Sequence, residues 1–271
     1  MSDLSLDATQ LDRYSRHIIM DEVGPAGQAA LLDASVLVVG AGGLGSPAIQ
    51  YLAAAGVGRL GIADDDVVER SNLQRQIVHA DADVGRPKVE SAAAYVTDLN
   101  PDVTVEPHEV RVDPETVGNL LADYDLVVDA SDNFRTRYVV NDAARLRDVP
   151  VTHGAIYKFE GQLTTLVPGG PCYRCLFPEA PDPEDAPDCA TTGVLGVLPG
   201  TVGTIQATEA VKLLLELGEP LVGRLLVYDA TDTSFQTVSF RQNPGCPVCG
   251  DDPIDSVAEV SYTDGCRIAS E

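Results

Sequence analysis

Two kinds of apolar run alternate along the first 130 residues. Short unbroken runs, "ASVLVVG" (34–40), "RLGIADDD" (59–66), "VTVEPHEV" (103–110) and "DLVVDASDN" (125–133), read as buried strands. Between them lie stretches with helical spacing. "TQLDRYSRHIIM" (9–20) sets Leu11, Tyr14, Ile18 and Ile19 on one side. "LGSPAIQYLAAAG" (44–56) is a small-residue helix ending at Gly56. "KVESAAAYVTDLN" (88–100) is stopped by Pro101, and 114–122 reads as a further helix. Strand–helix alternation predicts a parallel sheet with helices on both faces.

After about residue 150 the pattern changes. "VPVTHGAIYKFEGQLTTLVPGG" reads as strands turning near Glu160-Gly161, an antiparallel extension. A proline-rich acidic loop follows at 177–188, then a helix over 202–218 ending at Gly218 and a strand pair over 223–240. No internal repeat is visible. The fold class expected is α/β: a Rossmann-like doubly wound, largely parallel sheet extended by antiparallel strands. We divide the chain into an N-terminal helical segment (1–33), a main domain (34–250) and a polar, weakly ordered tail (251–271).

Composition adds two constraints. Apolar residues make up 44% of 271, ordinary for a globular core, and no apolar run is long enough to span a bilayer. The start, "MSDLSLDATQ", is acidic and polar and does not resemble a secretory signal, so a cytoplasmic protein is expected. The charge is unusual: 42 acidic against 18 basic residues, net −24, with Lys88, Lys158 and Lys212 the only lysines. Such a surface repels nucleic acid. It suits molar salt, where the Debye length falls to about 3 Å and self-repulsion is screened. A halophilic source is the reading; an acidic mesophilic enzyme is the alternative.

The chemistry starts at "VVGAGGLGS" (38–46). Gly40, Gly42 and Gly45 have the spacing G-x-G-x-x-G between a strand and a helix, a turn that offers backbone N–H groups and a helix N-terminus to phosphate. Asp64, Asp65 and Asp66 follow about twenty residues on, where a carboxylate can hold ribose hydroxyls. "ERSNLQRQ" (69–76) then places Asn72, Arg75 and Gln76 past the second strand, and Lys88 opens the next helix. Two cations suit a triphosphate whose pyrophosphate is leaving. "ASDN" (130–133) ends the fourth strand at the same sheet edge. There Asp132 could hold Mg²⁺ and Asn133 could shape the loop, although alone Asp132 reads as a turn or cap residue.

Two C-x-x-C pairs, Cys172/Cys175 and Cys246/Cys249, supply four thiolates suited to tetrahedral Zn²⁺ with no open position, a structural clamp. A redox dithiol pair is the alternative. Cys189 and Cys266 are left over, and His17, His79, His108 and His153 fall outside every site motif.

"GAGGLGS", "SNLQRQ", "GRPKVESA", "DASDN", "CYRC" and "NPGCPVCG" together closely resemble the MoeB/ThiF family, relatives of the ubiquitin-activating enzyme, over about residues 11–250. The resemblance implies ATP-dependent adenylation of the C-terminal Gly-Gly carboxylate of a small ubiquitin-fold protein. It places Gly43 against the nucleotide and Asp64 on the ribose. It implies nucleotide contacts across Ser71, Asn72, Leu73, Gln74 and Arg75, with Asn72, Arg75 and Lys88 on the phosphates. Asp132, beside Asn133, becomes the magnesium and catalytic acid. "RYSRHI" implies that Arg16 reaches the partner subunit's site in a homodimer. The family's loop cysteine corresponds to Cys189, which receives the activated acyl group or takes part in sulfur transfer; Asp185 and Asp188 disfavour its resting thiolate. Conjugation to proteins and sulfur loading for molybdopterin or tRNA thiolation both follow from such chemistry, with a separate sulfur donor. The residues alone leave open an NAD-dependent oxidoreductase, a non-catalytic nucleotide-binding scaffold and an idle Cys189.

Overall fold

The computed structural model describes residues 6–179 and 193–262. Cys189 and Cys266 lie outside the described residues. Eight strands form one sheet in the order β3-β2-β1-β4-β5-β6-β7-β8. They are β1 Ser35–Val39, β2 Arg59–Ala63, β3 Thr104–His108, β4 Leu126–Asp129, β5 Val151–Tyr157, β6 Glu160–Leu166, β7 Arg224–Asp229 and β8 Ser234–Ser239. Strands β3 to β5 along this order are parallel; β6, β7 and β8 are antiparallel.

The helices are α1 Ala8–Arg13, α2 Ser15–Ile18, α3 Gly24–Asp33, α4 Gly45–Ala55, α5 Lys88–Leu99, α6 Val117–Leu121, α7 Phe134–Leu146, α8 Tyr173–Leu176 and α9 Val197–Leu214. Strand periodicity divides the core. Val36, Val38, Leu60, Ile62 and Val128 face α4, α5 and α9 on one side. Leu37, Val39 and Val127 face α6 and α7 on the other. Both faces of β1 and β4 are covered, which is why these strands read as continuous apolar runs rather than alternating ones. Burying each such Val or Leu contributes about 1.5–3 kcal/mol. Pro107 sits in β3, an edge strand, where its missing N–H removes no ladder bond on the outer side. No helix among the described residues is long and apolar enough to cross a membrane.

Four expectations change. The helix anticipated over 9–20 is two helices broken at Tyr14, which is 2% exposed. Tyr14 drops into a slot over Gly56, where a Cβ would stand 2.6 Å from its ring, and its hydroxyl meets Asn100 Nδ2 at 2.9 Å. Leu11 and Ile19 therefore stay exposed instead of sharing a buried face. β5 is parallel to β4 as well as antiparallel to β6, so the antiparallel extension begins only at β6. The hairpin turns at Lys158, with φ +52°, rather than at Glu160-Gly161. α9 starts at Val197, since Pro199 fits a first helical turn, and stops at Leu214. Finally, part of the 251–271 segment is packed: Val257 is buried and the Tyr262 hydroxyl donates to Asp142 Oδ2 at 2.8 Å.

Candidate nucleotide site and cysteine cluster

The carboxyl ends of β1, β2 and β4 open onto a cleft of roughly 360 Å³. Gly40, Gly42, Gly43, Asp64, Asp65, Asp66, Arg75, Gln76, Lys88, Asp132, Asn133 and Arg137 contribute to its wall. This is where an open parallel sheet binds ligands, because the strand order reverses between β1 and β4.

The glycines have separate reasons to be there. Gly40 has φ +96°, and a Cβ on it would lie 2.8 Å from the Ala130 carbonyl. Gly45 opens α4 so close to the loop that a Cβ would stand 1.8 Å from the Gly40 carbonyl oxygen. Gly42 differs: a Cβ there would meet only Gln76 Nε2, at 3.6 Å. The protein's own packing does not require glycine at 42; a ligand drawn against the backbone does. Gln76 Oε1, buried in the same wall, has no hydrogen-bond partner. A vacant acceptor and an open glycine beside the N-terminal end of α4 fit a phosphate-bearing ligand with donor groups of its own.

Asp64 is nearly buried and held in place. Its Oδ2 accepts from the Ala41 N–H at 2.8 Å and its Oδ1 from the Asp66 N–H at 2.9 Å. Burial raises its pKa, against the opposing pull of Lys88 and these two amides. Lys88, 6% exposed, places Nζ 2.7 Å from Asp66 Oδ2 and 3.8 Å from Asp64 Oδ1. Asp66 thus fixes the lysine at the cleft wall. Arg75 donates to the Ser71 carbonyl at 3.3 Å. His79 backs the glycine loop: its ring nitrogens lie 2.9 Å from the Ala41 carbonyl and 2.8 Å from Ser91 Oγ. Burial lowers its pKa.

On the other side of the cleft, Asp132 is exposed and Asn133 caps α7, accepting from the Thr136 N–H at 2.8 Å. Asn133 Nδ2 also reaches Asp132 Oδ1 at 3.3 Å. A single exposed carboxylate suits Mg²⁺ that takes its remaining ligands from phosphate and water. Behind this loop Asp129 and His153 form a buried pair at 2.8 Å, with Ser131 Oγ on the second Asp129 oxygen. Burial lowers the His153 pKa. Asp129 is also lowered, because the His153 and Ser131 hydrogen bonds outweigh its burial.

Not every residue singled out from sequence reaches the cleft. Ser71, Asn72, Leu73 and Gln74 are outside its wall; Asn72 Oδ1 instead accepts from the Glu69 N–H at 3.1 Å. Arg16 is exposed on α2 and absent from the wall of its own chain's cleft. The sequence reading missed Arg137. Its signal was available: it lies four residues after the Asn133 cap, hence on the same helix side.

Cys172, Cys175, Cys246 and Cys249 converge, with all four Sγ atoms within 4.8 Å of one another. Three of the separations are 4.0, 3.5 and 3.3 Å, too long for disulfides. A tetrahedron with about 2.3 Å metal–sulfur bonds separates its sulfurs by about 3.8 Å, so the donor set and its spacing fit Zn²⁺. The Asn243 N–H approaches Cys175 Sγ at 3.4 Å. Cys246 is pulled down to about 5 by its hydrogen bond with Cys172, helped by backbone amides.

A mostly parallel sheet with a phosphate-type loop and a cation-lined cleft, joined to a four-cysteine cluster, defines a nucleotide-binding α/β protein. The chain belongs to the ThiF family, whose model matches residues 14–248. It is 70% identical over 266 residues to the SAMP-activating enzyme E1 of Haloferax volcanii, covering 98% of each chain. It is 54% identical to the sulfur carrier protein adenylyltransferase of Thermus thermophilus, over 90% of this chain and 92% of that one. The crystal structure of E. coli MccB with ATP shares the fold, with a TM-score of 0.79 at 21% identity, over 90% of this chain and 75% of that chain.

Proposed function

We propose that this chain is an adenylyltransferase that activates the C-terminal Gly-Gly carboxylate of a ubiquitin-fold or sulfur-carrier protein. One observation carries the reading: a phosphate loop, a ribose-type acid, two cations and an acid beside a helix cap meet in one cleft, where Gly42 is open to a ligand. The relatives' names support it, and by them the partner for the present chain is SAMP or a protein like it.

In the reaction, a carboxylate oxygen of the partner bonds to the α-phosphorus of ATP. The bond from that phosphorus to the bridging oxygen breaks, and pyrophosphate leaves. Magnesium, when bound, neutralises charge on the phosphates, and Asp132 is the residue that would hold it. Gly40, Gly42 and Gly43 leave room for the phosphates, and Asp64 takes the ribose. Lys88, already fixed by Asp66, and Arg75 meet the charge that grows on the leaving pyrophosphate. Because their positions are set beforehand, little reorganisation is needed at the moment of transfer.

Residues 34–250 form the adenylation domain, and the four cysteines hold a structural Zn²⁺ that ties α8 to the segment after β8. The 1–33 segment presents Arg16 to the neighbour in a homodimer. Mixing Arg16→Ala with Asp132→Ala subunits should then restore about a quarter of wild-type activity, since half the dimers are hybrids with one intact site. Cys189 accepts the acyl group, or assists sulfur loading from a separate donor, after adenylation. Cys189→Ser should therefore keep pyrophosphate exchange and lose transfer. The protein works in the cytoplasm, apart from nucleic acid.

ATP–pyrophosphate exchange with and without SAMP tests the activity. Exchange that requires both SAMP and Mg²⁺ is expected. Reduction or oxidation of a nicotinamide cofactor without such exchange would overturn the proposal.

A further inference from the structure

Arg137 stands out among the charged groups of the cleft. It is 8% exposed, contributes to the cleft wall, and has a buried Nε without a hydrogen-bond partner. Its contacts are weak: Nη2 donates to the Ser131 carbonyl at 3.4 Å, and the guanidinium stands 5.0 Å over the Phe134 ring. Among the described residues it forms no ion pair. The buried carboxylate behind it, Asp129, already has its oxygens committed to His153 and Ser131. Tyr173, its phenolic neighbour, is held un-ionised by burial, although Arg137 pulls the other way.

A buried guanidinium that feels the Asp129 charge but makes no direct ion pair is costly, and it is odd in a chain with 42 acids to choose from. The missing anion belongs to a ligand. Position says which one. Lys88 enters the cleft from the side of α5, whereas Arg137 enters from α7 on the opposite face of the sheet. Strand β4 lies two places along from β2, which carries the ribose-type Asp64. Ser131 and Asp132, in the loop between β4 and α7, share the cleft wall with Arg137, whereas Asp64 follows β2 on the far side of β1. The phosphates already have the glycine loop, Arg75 and Lys88.

We propose that Arg137 receives the C-terminal carboxylate of the incoming protein and orients it toward the α-phosphate. This rests on the adenylation reading. With its Nε free, Arg137 can offer a planar fork to the carboxylate.

The test measures binding in molar KCl with a non-hydrolysable ATP analogue, using SAMP prepared with a free C-terminal carboxylate or a C-terminal carboxamide. Wild type should prefer the carboxylate by on the order of tenfold or more. Arg137→Gln should bind both forms equally, at the wild-type carboxamide level, with its affinity for ATP alone within about twofold of wild type. Arg137→Lys should regain part of the preference, and it carries the test if the glutamine variant does not fold. A preference that survives Arg137→Gln overturns the assignment, as does no preference in wild type. Loss of ATP affinity in Arg137→Gln would make Arg137 a phosphate ligand and overturns it too. Failure of SAMP-dependent pyrophosphate exchange in wild type is a separate result that removes the adenylation reading itself.

Discussion

The nucleotide cleft and the cysteine cluster are built on opposite principles. In the cleft, polar groups are left incomplete: Gln76 Oε1 and Arg137 Nε are buried without partners, and Asp132 is exposed beside a capped helix. In the cluster, four sulfurs face one another with little water contact, and Val248 and Ile254 pack around them. The first arrangement keeps binding capacity for groups that arrive and leave. The second leaves no position for a reactant. The lesson is that unsatisfied polarity marks turnover, whereas four converging thiols with the spacing of a metal site mark structure.

The sharpest way to break this comparison is Asp132→Ala. Among the described residues Asp132 has no hydrogen bond or ion pair besides the 3.3 Å approach of Asn133, so thermal stability should stay near wild type. Pyrophosphate exchange should fall by about 10³-fold, as when a preorganised charge at a transition state is removed. Near-normal exchange would take Asp132 out of the mechanism.

The cluster should respond in the reverse sense. Cys175→Ser, or a strong chelator, should lower the melting temperature by about 10 °C, corresponding to loss of several kcal/mol of folding energy. The effect on exchange should track unfolding and not precede it. Unchanged melting with full chelation would show that the cysteines hold no structural metal.

Two glycines of one motif sharpen the comparison further. Gly45→Ala forces a Cβ into the Gly40 carbonyl and should destabilise the whole domain. Gly42→Ala has open space and should fold normally, yet raise the KM for ATP by about tenfold or more. Equal loss of stability in both variants would remove the argument that glycine at 42 serves a ligand.

The smallest expected effect is on pH. Burial depresses His79 and His153 in the folded protein, below the ordinary value of 6.5. The unfolded chain therefore takes up protons first, and stability from these groups is present above pH 6.5 and lost as pH falls below it. The melting temperature in molar KCl should be level from pH 8 to about 6.5 and then decline. A rise over that acid range would contradict the placement of both imidazoles.

Much of this was legible in the sequence, because both signals are local. The glycine loop is one contiguous turn, and each cysteine pair announces itself within four residues. The central parallel strands were visible because burial on both faces leaves unbroken apolar runs. What could not be read depended on packing between distant segments. Tyr14 looks like a helical position until Gly56 and Asn100 make a slot for it. Pro199 and Gly200 look like breakers, yet they lie in the first turn of α9. Tyr262 looks like tail, but Asp142 accepts its hydroxyl. Arg137 looks like a solvated helix charge, because sequence does not show which arginines lack a carboxylate.

The central claim, that the cleft transfers AMP to a protein carboxylate, is tested most directly by following the phosphorus. Wild type is incubated with SAMP, Mg²⁺ and ATP labelled at either the α- or the γ-phosphate, and the SAMP-bound label is measured after rapid quenching. The account predicts acid-stable, base-labile label on SAMP from α-labelled ATP alone, none with C-terminally amidated SAMP, and none with the Asp132→Ala variant. Label from γ-labelled ATP on SAMP, or α-label on amidated SAMP, would contradict it.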